Sequence, residues 1–271
     1  MPYNSKNWDQ FVEDVLKKYK DEMFNDAGVK PENLYKESLV NCKTYSPKIA
    51  TYIFPALFDN IEEAEREKGY KVDSHYHSDG EVLINQITNR QEEVIAKIMA
   101  TKKKIGGMKI IDYQVPIKNE RTESTKGQGK VDLLGIDIDS DNIYLIELKK
   151  PGSTESFLRA YLEVATYCKL INKDRLINSY KELQEKRNII PAIMIFKDSQ
   201  PYEDIKYSQE IKELVKRFEN TSLYPQVFIV DIKALELRTT EVYANGKICQ
   251  KMVWKKENRI NIKSLNLKNI N

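Results

Sequence analysis

Apolar positions along this chain switch between a helical period and a strand period, and the switches mark its elements. Trp8, Phe11, Val12, Val15, Leu16 and Tyr19 keep helical spacing behind Ser5, so a helix over about residues 6–23 with Ser5 as N-cap is predicted. Residues 45–58 are apolar and aromatic but interrupted by Pro47 and Pro55, and Glu62 to Lys68 reads as a solvated helical end. These features predict a mostly helical N-terminal region over 1–80, ahead of a single domain over 81–271. Ile87, Val94, Ile95, Ile98 and Met99 then form one stripe of a helix over 82–103, with Glu92 at the edge of the stripe and Glu93 on the opposite side.

The period changes to two after Gly106-Gly107. Strands are predicted over Lys109–Ile117, across both halves of the stretch Gly127–Pro151, over Ile189–Lys197 and over Gln226–Ile232. Ser153 reads as the cap of a helix to about Ile171, burying Phe157, Leu158, Tyr161, Val164, Ala165 and Cys168, with Arg159, Glu163 and Tyr167 on its other side. A further helix is expected over Glu203–Phe218, and Asn245-Gly246 predicts a C-terminal β-hairpin. Strands and helices in this order give an α/β fold, a mixed sheet flanked by helices.

The stretch Gly127–Pro151 carries the chemistry. The segment Ile143-Tyr-Leu-Ile-Glu147-Leu is apolar on both faces, so its sheet is expected to be covered on both sides. Asp132, Glu147 and Lys149 are out of place there, because a charge in such a strand is costly unless paired, metal-bound or open to a cleft. If Asp139-Ser140-Asp141-Asn142 is the turn, Ile138 faces Ile143, Leu134 faces Glu147 and Asp132 faces Lys149. The three then share one face, and a slip of one residue would separate them.

Composition narrows the setting. Charged residues at 31% and hydrophobic ones at 41% fit a globular chain rather than a disordered one. With 44 basic against 41 acidic residues the net charge is only +3, so a phosphate-binding surface has to come from local asymmetry. Cys42, Cys168 and Cys249 have no metal or disulfide spacing, and no long apolar run or leader-like start is present; a reducing, cytoplasmic setting without membrane contact is expected. His75 and His77 lack a further soft ligand nearby and read as a solvated loop.

Two carboxylates and a lysine suit Mg²⁺ or Mn²⁺, which are bound by hard oxygens and can polarise a phosphodiester. Asp132 followed by Glu147-Leu148-Lys149 at the end of the next strand resembles the PD-(D/E)XK nuclease superfamily, with Val131 in the place of the pattern's proline. The resemblance implies a restriction-endonuclease-like core and a metal-dependent nuclease, foremost a DNA endonuclease. Asp132, Glu147 and the Leu148 carbonyl would hold the metal, Lys149 would position the attacking water, and Glu92 would complete the site. Glu163-Val-Ala-Thr-Tyr167 resembles the family's Gln-x-x-x-Tyr element with Glu for Gln; Lys126, Lys130, Lys150 and Arg159 join it as candidate nucleic-acid contacts. Cutting both strands of a duplex commonly uses a homodimer, which is a further expectation from the family.

Two accounts compete with this one. The trio is then an internal ion network of a structural protein, or the fold persists in a nucleic-acid binder that does not cut. In the same vein, Arg159 and Glu163 are equally a surface ion pair, and Lys251, Lys255, Lys256 and Arg259 are either a basic extension or a solvated tail.

Overall fold

The computed structural model describes residues 61–64, 66–72, 81–84, 91–101, 104–118, 129–230, 237–244, 247–254, 262–265 and 267. In chain order its first elements are β1 (Glu81–Ile84), α1 (Gln91–Thr101), β2 (Lys104–Ile105), β3 (Met108–Pro116), β4 (Lys130–Asp137) and β5 (Asn142–Leu148). Then come α2 (Phe157–Leu170), α3 (Lys173–Ser179), a 3₁₀ turn (Lys181–Leu183), β6 (Asn188–Phe196), α4 (Gln200–Tyr207) and α5 (Gln209–Arg217). The last are β7 (Gln226–Val230), β8 (Leu237–Ala244), β9 (Lys247–Trp254) and β10 (Ile262–Leu265).

Strand β5 is the middle of a seven-stranded sheet of order β10-β7-β6-β5-β4-β3-β2. Its pairings β5–β6 and β6–β7 are parallel and the others antiparallel. Each parallel step needs a crossover; α2 and α3 supply the first, α4 and α5 the second. Seven twisted strands curl, and here the two edges nearly meet, so the sheet is almost a barrel. A Cβ on Gly106, between β2 and β3, would lie 3.6 Å from the Ile262 carbonyl of β10.

Both faces of β5 are covered, as its unbroken apolar run predicts. Ile143 and Leu145 pack with Leu134 and Ile136 beneath α2, against Phe157, Tyr161 and Ala165. Ile146 and Leu148 pack with Leu133 beneath α1, against Ile95 and Met99. The site residues lie on β4 and β5 where these two layers end.

Several expectations are corrected. The helix over 82–103 is shorter: Glu81–Ile84 is a strand, paired with β9 in a separate sheet of order β1-β9-β8, and the helix begins at Gln91. The helix after β5 is capped by Ser156, whose Oγ accepts the Arg159 N–H, not by Ser153. The single helix over 203–218 is two, because Ser208 takes an extended conformation and caps the second. Glu62 to Lys68 carries no helix among its described residues. The predicted hairpin is β8–β9, with Ala244 opposite Lys247; its Asn245-Gly246 turn lies outside the described residues. So do the helix over 6–23, residues 45–58, Ile87, His75, His77, Lys126, Lys255, Lys256 and Arg259.

Residues 61–72, where described, pack on the core. Ala64 N–H donates to the Leu170 carbonyl at 2.7 Å, and Tyr70 N–H to Ser179 Oγ at 2.8 Å. A β-bulge in β3 between Ile110 and Asp112 turns Asp112 inward, where it is 2% exposed. The Tyr180 hydroxyl donates to Asp112 Oδ2 at 2.8 Å and lies 3.1 Å from the Tyr70 carbonyl. Sheet, helix end and the 61–72 segment are thereby joined at one buried polar point.

Candidate active site

Strand pairing brings Asp132 and Glu147 together, though in a register two residues away from the expected one. Ile136 faces Ile143, and Leu134 faces Leu145 rather than Glu147. Continued by two residues, that register sets Asp132 against Glu147. A slip of two preserves the face, so the trio still converges; only the partner within it changes. The difference arises in the loop, where Asp137 Oδ1 accepts the Asp139 N–H at 2.9 Å and closes a local turn one residue earlier.

Lys149 is the centre of the cluster, at 3% exposure. Its Nζ lies 2.8 Å from Glu147 Oε1, 2.6 Å from Glu155 Oε2 and 3.6 Å from Glu163 Oε2. These carboxylates hold its pKa well above the ordinary lysine value despite burial, so it remains an ammonium. Glu147 is 5% exposed; burial and the nearby Glu163 raise its pKa well above the usual carboxylate range, against the pull of Lys149. Asp132 accepts the Leu148 N–H at 2.9 Å and the Gln114 Nε2–H at 2.7 Å. Desolvation still pushes it up to about 7, opposed by the Leu148 hydrogen bond and Lys149.

The helix α2 supplies the roof. Tyr167, expected on its outer side, is 1% exposed, and its hydroxyl donates to Glu163 Oε1 at 2.7 Å. The Arg159–Glu163–Tyr167 stripe therefore turns inward over the trio instead of lining the surface. Arg159 reaches Glu155, Nε to Oε2 at 3.9 Å, rather than Glu163, the partner that the alternative account of the stripe gave it. From the opposite layer, Glu92 Oε1 accepts the Lys150 N–H at 3.2 Å, and its charge adds to the proton affinity of Asp132. Glu93 pairs with Lys97 at 2.9 Å. Lys130 is exposed at the start of β4, and Lys150 is half-buried.

Two members of the cluster escaped the sequence reading. Gln114 holds Asp132 from a backbone with φ +49°, a left-handed conformation that costs a non-glycine residue about 1–2 kcal/mol. Its only signal was a polar residue inside an apolar strand. Glu155 lies in a loop, and no periodicity marks it.

The donor chemistry can be set against the metal that the resemblance implies. Asp132, Glu147, Glu155 and Glu163 surround Lys149 with Arg159 at the margin, so carboxylates outnumber cations by two. An excess of negative charge on oxygen donors fits a hard divalent cation or added protons. Among the described residues, no three His, Cys, Asp or Glu side chains form a ready metal-holding group. A site here would rest on Asp132, Glu147 and main-chain oxygen.

The arrangement gathers carboxylates around one ammonium at one end of the sheet. Among the described residues, no helix is long and apolar enough to cross a membrane. No family model matches the chain, and neither the curated proteins nor the solved structures contain a significant match.

Proposed function

We propose that this protein is a metal-dependent nuclease of the PD-(D/E)XK type, hydrolysing phosphodiester bonds in nucleic acid, foremost as a DNA endonuclease. One observation carries the reading: Asp132, Glu147 and Lys149 meet at the end of one sheet face with negative charge in excess. Asp132, Glu147 and the Leu148 carbonyl would hold Mg²⁺ or Mn²⁺. When bound, the metal neutralises phosphate charge and acidifies water. Lys149 orients the attacking water and offsets charge growing on the phosphate, and Asp132 is held in place by Gln114 and the Leu148 N–H. Glu163 and Tyr167 keep the α2 face of the site fixed. Lys130 and Lys150 are placed to meet the nucleic-acid backbone.

The test is cleavage of circular and linear DNA in Mg²⁺, Mn²⁺ or EDTA by wild type, Asp132→Ala and Lys149→Ala. Metal-dependent cutting lost in both folded variants is the expected result, and the circular substrate tells internal cutting from end-dependent cutting. The three carboxylates within ion-pair distance of Lys149 favour a second reading, an internal ion network in a structural or non-cutting binding protein. That reading predicts no effect of divalent cations on thermal stability.

A further inference from the structure

Lys149 has a close partner that the trio does not include. Lys150-Pro151-Gly152-Ser153 has the Pro-Gly order of a type II turn, with Gly152 at φ +66° and Ser153 N–H donating to the Lys150 carbonyl at 3.1 Å. The turn doubles the chain back, so that Glu155 returns to Lys149, the residue that follows β5. Neighbouring elements fix this loop. Lys149 N–H donates to the Met194 carbonyl at 2.9 Å, Gln200 N–H to the Ser153 carbonyl at 2.7 Å, and Phe157 N–H to Asp204 Oδ2 at 2.9 Å. Glu155 is thus held at Lys149 by its backbone rather than by a flexible reach.

The two outer carboxylates differ. Glu163 stands farther from the ammonium and already accepts the Tyr167 hydroxyl. Glu155 Oε2 stands closest, at 2.6 Å, yet it is buried and accepts no well-directed hydrogen bond. It has the capacity to take one. Glu147 Oε1 meanwhile holds the Lys149 ammonium, so a divalent cation held by Glu147 would compete with that ammonium for the charge of the one carboxylate.

We propose that Glu155 is a positioning residue: it takes over the Lys149 ammonium when a divalent cation occupies Glu147, and so keeps Lys149 beside the reacting phosphate. This rests on the nuclease reading above. Without Glu155 the ammonium stays on Glu147, the cation binds less well, and Lys149 is out of place even after the cation binds. A carboxylate that acted only through its charge would change cation affinity and nothing else.

The experiment compares full-length wild type, Glu155→Gln and Glu155→Asp by calorimetric titration with Mg²⁺ and by DNA cleavage at saturating Mg²⁺. Glu155→Gln should bind Mg²⁺ roughly tenfold more weakly. At saturating Mg²⁺ it should lose roughly ten- to a hundredfold in kcat with an unchanged KM for DNA, the scale of a misplaced group. Glu155→Asp, which keeps the charge on a shorter arm, should fall between; it also serves if Glu155→Gln does not fold. Wild-type kcat at saturating Mg²⁺ in the folded variants overturns the role of Glu155 and leaves the nuclease reading intact. Wild type that neither binds Mg²⁺ nor cuts overturns both.

Discussion

The hydroxyl of Tyr167 occupies the space that a side chain on Gly129 would need: a Cβ there would lie 1.7 Å from Tyr167 Oη and 2.7 Å from its Cζ. Gly129 directly precedes β4, and Tyr167 holds Glu163 over Lys149. Glycine is required for this close approach, not for a special backbone angle. Gly129→Ala should therefore displace the ring, release Glu163 and cost about 1–3 kcal/mol, the range for overpacking. A urea-denaturation midpoint equal to wild type would show that the ring moves aside freely.

Lys149 compensates buried carboxylates that strongly favour protonation. Its removal should be most damaging where Glu147 would otherwise have to stay ionised. Lys149→Ala is expected to destabilise by about 3–5 kcal/mol at pH 8, as when one partner of a buried pair is deleted. The loss should shrink at pH 5, where Glu147 can take a proton instead. Equal losses at the two pH values would mean that Lys149 contributes through packing alone.

Asp132 sets a pH dependence in the metal-free chain. Its pKa rises from an ordinary 3.8 to about 7 on folding, so the folded state binds the proton more tightly than the unfolded state. Stability then falls as pH climbs from about 4 to about 7, and levels off above that. The elevated Glu147 acts in the same sense. Asp132→Asn should flatten this fall, as followed by denaturation midpoints in EDTA between pH 4.5 and 8, given as roughly the span of that titration. A wild-type midpoint that rises through this window would contradict the assignment.

Divalent cations should counteract that decline. A cation held by ionised Asp132 and Glu147 binds the folded state alone, and stabilises it by mass action. Mg²⁺ should therefore raise the melting temperature at pH 8 and have little effect at pH 5, where protons compete for the same oxygens. An identical shift in Asp132→Ala would place the cation elsewhere.

Tyr180 and Asp112 form a second buried polar point. Burial and the adjacent Asp112 carboxylate push the Tyr180 phenol up, so it stays a donor. Tyr180→Phe should cost about 1–3 kcal/mol, the penalty for leaving a buried acceptor without its donor. DNA cleavage, where wild type shows it, should be unchanged. A selective loss of cleavage at full stability would draw this point into the site.

The trio was legible in the sequence because strand periodicity tolerates a particular error. The expected register was wrong by two residues, yet a displacement of two leaves every side chain on its own face. Helix ends were less secure, since Ser153, Ser156 and Ser208 are all competent caps and only the surrounding packing selects among them. The inward turn of Tyr167 was equally hidden, because a helix between a sheet and α4 is buried nearly all round, and a single amphipathic stripe does not describe it.

By itself the sequence determined the alternation of strands and helices, the doubly covered β5 and the shared face of Asp132, Glu147 and Lys149, since all three follow from local period. Tertiary structure alone decided the company those residues keep. Gln114 arrives through a left-handed backbone in β3, Glu155 through a turn after β5, and Glu163 through the packing of α2 beside Gly129. These residues are distant in sequence or lie in irregular segments, and their meeting depends on register, bulge and close approach, none of which has a period to read.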